Sequence, residues 1–104
     1  MDIATQIRQE LQKLDFQLAA EDLYVKQIGS PELQFQLSFR LNEITQFMVI
    51  RCTCNKADMP FNFPVPFSDI MQHGVGKLKR HVEDITQMIQ ASIDDPESLQ
   101  FYEG

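Results

Sequence analysis

Between Leu33 and Asn55 the chain alternates with the period of a β-strand, turns, and runs apolar again. Leu33, Phe35, Leu37, Phe39 and Leu41 are separated by Gln34, Gln36, Ser38, Arg40 and Asn42. That is the period-two signature of a strand with one face buried and one wet. The second arm, Ile44 to Asn55, carries Ile44, Phe47, Met48, Val49, Ile50 and Thr53. A turn at Asn42-Glu43 sets Leu41 opposite Ile44, Leu37 opposite Met48, Phe35 opposite Ile50 and Leu33 opposite Cys52. A slip of one residue would send these pairs to opposite faces, so the register is well specified. Glu43 is a poor second residue for a type I′ turn, which leaves room for a longer loop.

The other face of the second arm bears Phe47 and Val49 among Thr45, Arg51 and Thr53. A fully solvated face has no need of them. Cover by another element of the chain is the first expectation, and a partner or dimer surface the second.

Ahead of the hairpin, Ile3, Ile7, Leu11, Leu14 and Leu18 recur at spacings of four and three, which stacks them on one helical face. Asp2 is the expected N-cap, and the helix is expected to run to about Ala20, with Phe16 off the stripe. Leu23 to Ile28 reads as a short strand closed by the turn signal Gly29-Ser30-Pro31. Sequential strands on short connections predict a three-stranded antiparallel meander.

Beyond Asn55, Met59 to Phe67 holds Pro60, Pro64 and Pro66 between Phe61, Phe63, Val65 and Phe67. Proline has no ladder donor, so an extended segment on the edge of the domain is predicted. Ser68 or Asp69 then opens a helix to about Ile93, with Met71, Val75, Leu78, Val82, Ile85, Ile89 and Ser92 on one side. Gly74 and Gly76 weaken its first turns by about 1 kcal/mol each, so its stable part can begin as late as Gly76. Asp94-Asp95-Pro96 ends it. The reading is a single α+β domain over 1–95, built as helix, three-stranded meander, extended Pro/Phe segment and long helix, with an acidic tail over 96–104.

Composition bounds the function. Apolar residues at 43% and charged residues at 23% argue against wholesale disorder. A net charge of −6 disfavours a broad grip on nucleic acid phosphate and suits basic protein partners better. The sequence shows no long apolar run and no basic-then-apolar leader, so a cytoplasmic protein with reduced thiols and no membrane association is expected.

Few constellations carry chemistry. Cys52 and Cys54 are closer in sequence than the usual pair of structural zinc ligands, and His73 and His81 lie two turns apart on the expected helix. Cysteine on the core face of a strand acts as a small hydrophobe. Glu83-Asp84 and Asp94-Asp95 are unpatterned carboxylates, and Gly74-Val75-Gly76 lacks the strand and third glycine of a phosphate loop. No catalytic residue, metal or cofactor is therefore expected.

Lys77, Lys79 and Arg80 near a helix start are the one basic cluster. Helix, three strands, helix is similar to the element order of double-stranded-RNA-binding domains, but the second helix lacks their run of small residues. The sequence thus predicts a non-enzymatic protein–protein interaction module: an adaptor, inhibitor, small chaperone or subunit, with a homodimer as one form of it. Phe47, Val49, Phe61, Phe63 and Phe67 are its candidate contacts. The alternative is nucleic-acid binding through Lys77, Lys79 and Arg80.

Overall fold

The computed structural model describes residues 2–56 and 61–95, without the side chains of Phe61 and Phe63. Helix α1 (Ile3–Lys13) starts as expected: Asp2 Oδ1 accepts from the Thr5 N–H at 2.8 Å. Its end differs. Asp15 takes a φ of 69°, the Asp15 N–H donates to the Gln12 carbonyl, and the Phe16 N–H donates to the Leu11 carbonyl at 3.0 Å. Those two bonds form a Schellman closure, built on Asp where glycine is usual. Without a glycine at that position, the sequence pattern runs on to Ala20. Instead the chain reverses into strand β1 (Gln17–Ala20). Phe16, off the helical stripe, is buried and meets Phe39 edge-on with ring centroids 5.1 Å apart.

Strand β1 opens a five-stranded antiparallel sheet in sequential order, continued by β2 (Leu23–Gly29), β3 (Gln34–Asn42), β4 (Phe47–Cys54) and β5 (Phe61–Pro66). The meander has five strands, two more than predicted. Gly29 ends β2 at a φ of 107°, where a Cβ would collide with the Leu33 carbonyl oxygen. That position accepts glycine alone without strain.

The β3–β4 hairpin keeps the predicted faces and changes the predicted partners. Leu41 pairs with Met48, Phe39 with Ile50, Leu37 with Cys52 and Phe35 with Cys54. Each β3 residue faces a position four further along than expected. An even shift preserves the two-residue parity, so no side chain changes face. The cause is the loop. Asn42 Oδ1 accepts from the N–H groups of Ile44 and Thr45, and Gln46 takes a φ of 59°, which lengthens the turn and leaves Ile44 95% exposed.

Strand β5 is the Pro/Phe segment, and it forms an edge. The Phe67 N–H donates to the Gln46 carbonyl at 2.8 Å, so odd-numbered residues here point their amides toward β4. Pro64 and Pro66, opposite Val49 and Phe47, fall on the outward parity, where the missing donors cost the ladder nothing and blunt the edge against further pairing.

Two helices follow. Helix α2 (Phe67–His73) and helix α3 (Val75–Asp94) are separated by Gly74 at a φ of 82°. A single helix from Ser68 or Asp69 was expected; the left-handed glycine breaks it and resets its phase. Ile70 is therefore buried, while Met71 is 65% exposed. The core lies between the helices and one face of the sheet. Ala4, Ile7 and Leu11 of α1, Phe67 and Ile70 of α2, and Leu78, Val82, Ile85 and Ile89 of α3 pack on it. From the sheet they meet Phe35, Leu37, Phe39, Leu41, Met48, Ile50, Cys52 and Val65. The architecture is α+β, with a sheet carrying its helices on one side.

Candidate functional site

The strand register lays out the other face in rows. One row runs Leu23, Arg40, Val49, Pro64; the next runs Gln17, Val25, Ser38, Arg51, Asn62. Gln27, Gln36 and Thr53 form a third, and Asn42, Phe47 and Pro66 a fourth. These residues form an open sheet surface with a shallow hollow of about 440 Å³ lined by Leu23, Gln36, Ser38, Arg40, Val49, Arg51, Thr53 and Asn62. Phe47 is 41% and Val49 38% exposed, so the expected cover from the same chain is not supplied among the described residues. The reason is topological: a meander on short turns has no crossover to carry a helix to the second face, so α1, α2 and α3 all stack on the first.

The electrostatics of this face are distinct. Among the described residues on its rows none is Asp or Glu, in a chain whose net charge is −6. Arg40 and Arg51 are exposed, and neither guanidinium pairs with a carboxylate among the described residues. Arg40 lies opposite Val49, two positions from Arg51, so the two arginines are diagonal neighbours, about 7–8 Å apart.

The other expected contacts are placed differently. Phe67 is 0% exposed and opens α2 inside the core, so it offers no surface; its hydrophobic burial explains the position fully. The backbones of Phe61 and Phe63 pair with Cys52 and Ile50, and their side chains lie outside the described residues.

A second concavity, about 550 Å³, sits at the α2–α3 junction and is lined by His73, Gly76, Lys77, Arg80, His81 and Asp84. The break at Gly74 brings His73 and His81 to one hollow, which a continuous helix would not. Much of its positive charge is already used. Lys77 Nζ lies 2.9 Å from both carboxylate oxygens of Asp69, and His73 Nε2 is 3.9 Å from Asp69 Oδ1. The hydrogen bond from Lys77 holds the Asp69 carboxyl below its usual range. Lys79 Nζ is 3.9 Å from Glu83 Oε1 and does not line the hollow. Arg80 is the exposed cation of the predicted trio with no ion pair among the described residues. His81 Nε2 is buried without a hydrogen-bond partner among them.

Cys52 is not poised for nucleophilic chemistry. Cys52 is buried, and burial pushes its thiol up to about 11, the opposite of an activated nucleophile. Among the described residues no group of three or more His, Cys, Asp and Glu converges, and no helix is long and apolar enough to cross a membrane. Compared with protein-family models, curated proteins and solved structures, the chain matches none. The double-stranded-RNA-binding element order does not hold either, since five strands and a split second helix replace three strands and one.

Of the two arginines that define the open face, sequence reading placed Arg51 beside Phe47 and Val49 but left Arg40 as a wet residue of the first arm. The signal was present in the alternation. The pairing of two strands was needed to make neighbours of them.

Proposed function

We propose that this protein is a non-enzymatic protein–protein interaction module, an adaptor, inhibitor, small chaperone or subunit, that docks its partner on the open face of the sheet. One observation carries the reading: Val49 and Phe47 stand exposed beside Leu23, Val25 and two unpaired arginines. Apolar residues grouped on an uncovered face, rimmed by polar ones, are the composition of a docking surface. The blunted β5 edge turns association away from that strand and toward the face.

The test is a tagged pull-down from nuclease-treated lysate with the wild-type chain, Phe47→Asp and Val49→Asp. Both variants keep the wild-type circular dichroism spectrum, and each loses a partner identified by mass spectrometry. Recovery unchanged by both substitutions would remove the face from consideration. Light scattering on the purified chain reads the dimeric alternative: a dimer dissolved by Phe47→Asp would assign the face to a second copy.

A second reading rests on the hollow at the α2–α3 junction, where His73, Lys77, Arg80 and His81 gather near the amino end of α3. It makes the chain a nucleic-acid binder through Lys77 and Arg80, with Lys79 outside the hollow. Asp69 and the net charge of −6 count against it. Salt-dependent binding of duplex RNA or DNA, abolished by charge reversal of Lys77 and Arg80, would establish it.

A further inference from the structure

We infer that the open face recognises an acidic, extended segment of its protein partner, with Arg40 and Arg51 as a paired carboxylate reader. The inference rests on the reading of this face as the docking surface and names the chemistry of its occupant.

The argument begins with charge. The chain carries fifteen acidic residues against nine Lys and Arg, yet the described rows of this face hold two arginines and no carboxylate. Elsewhere in the described structure several cations are engaged, although Arg80 is not. Arg8 contacts Asp22 at 3.0 Å and Glu43 at 3.2 Å, Lys77 holds Asp69, and Lys26 donates to the Leu14 carbonyl. Arg40 and Arg51 stand without such partners. Each guanidinium presents a planar fork of donors that matches a carboxylate two bonds at a time.

Geometry then selects an extended ligand. Side chains two apart on a strand emerge on the same side about 6.6–7 Å apart. The diagonal between Arg40 and Arg51 is about 7–8 Å. A segment with Asp or Glu at alternate positions therefore brings successive carboxylates to successive guanidiniums. Leu23 and Val25 on one side and Val49, which flanks both arginines, supply the apolar floor for its remaining contacts.

Other occupants fit less well. A second copy stacked face to face would bring the arginine pairs together. Nucleic acid meets the repulsion of a −6 chain, and Phe47 at the corner is the one aromatic side chain described on the rows, too few for a stacking platform.

The probe is a fluorescein-labelled peptide of alternating Glu and Thr, about ten residues long, titrated with the full chain by fluorescence anisotropy. Its Lys–Thr counterpart and a single-stranded RNA are the controls. The acidic peptide is expected to bind, the basic one not. Affinity should fall about tenfold for Arg40→Gln and again for Arg51→Gln, with Arg40→Lys intermediate because it keeps the charge and loses the fork. Raising salt from about 0.05 M to about 0.3 M should weaken the wild type more than the double variant. Absence of acidic-peptide binding, or binding equal in the double glutamine variant, overturns the inference. RNA binding that both arginine changes abolish overturns it in favour of phosphate. Neither result removes the docking reading, which is judged separately by loss of the captured partner with Val49→Asp.

Discussion

The two faces of the sheet are built from the same strands and differ in almost every property. On β3, Phe39 is 0% exposed and meets Phe16, while its neighbour Arg40 stands in solvent with no ion pair among the described residues. On β4, Ile50 is buried and Val49 is 38% exposed. The helical side is packed and its buried hydrophobics form one cluster; the other offers rows of polar residues around a small apolar strip. What separates them is cover. One face commits its side chains to the core, and the other leaves its own in solvent.

The sharpest way to break that comparison is to substitute neighbours. Phe39→Ala should cost about 3–5 kcal/mol in urea denaturation, through lost contact and the cavity left behind. Arg40→Ala, one residue away, should change stability by less than about 0.5 kcal/mol. Equal costs would mean that the open face is structural.

Gly29→Ala comes next, since β2 and β3 carry both faces out of that turn. A positive φ and a clash with the Leu33 carbonyl should destabilise the fold by roughly 1–3 kcal/mol. An unchanged urea midpoint would show that the turn relaxes freely.

Asp15→Gly should act in the opposite direction. It removes the left-handed strain of a non-glycine residue at a φ of 69° and should raise stability by up to about 1 kcal/mol, read in the same denaturation series. A loss would show that Asp15 contributes an interaction larger than its strain.

The two cysteines sharpen the gradient of burial along β4. Cys52 should resist a thiol reagent until the chain unfolds, whereas Cys54, half-buried at the strand end, should react in the native state. The sign of the linked pH effect follows. The folded Cys52 thiol titrates at about 11 against an ordinary 9.0, so the folded state holds its proton more tightly. Stability should therefore fall as pH rises from about 9 toward 11. Cys52→Ser should lessen that alkaline loss in thermal melts.

The smallest effect belongs to the surface pair. Asp69, held below its ordinary 3.8 by Lys77, contributes stability above that value and loses it as pH falls through its lowered folded value. Asp69→Asn should flatten a slight acid dependence without changing the fold at neutral pH.

Much of this architecture was legible along the chain. Alternation from Leu33 to Leu41 separated core from solvent residues correctly, Asp2 marked the start of α1, and the prolines marked an edge. The misses have identifiable causes. Leu14 and Leu18 continue a helical spacing that the Asp15 turn had already ended. Period-two alternation is blind to even shifts, so the hairpin partners were displaced by four while the faces of the paired residues held; Ile44, expected opposite Leu41, instead falls in the turn and is exposed. Gly74 was read as a weakness in one helix, where its positive φ separates two. Phe67 lay on an aromatic run that looked exposed and is buried.

Sequence by itself determined the α+β class and the sorting of β3 and β4 into an apolar and a polar side, because those depend on local periodicity and on the missing donors of proline. The tertiary structure alone decided which pairs meet, that α1, α2 and α3 gather on one side, and that Arg40 and Arg51 become neighbours on a face left uncovered among the described residues. Those outcomes depend on loop closure and on packing between segments far apart in the chain, and no local pattern encodes the distance between them.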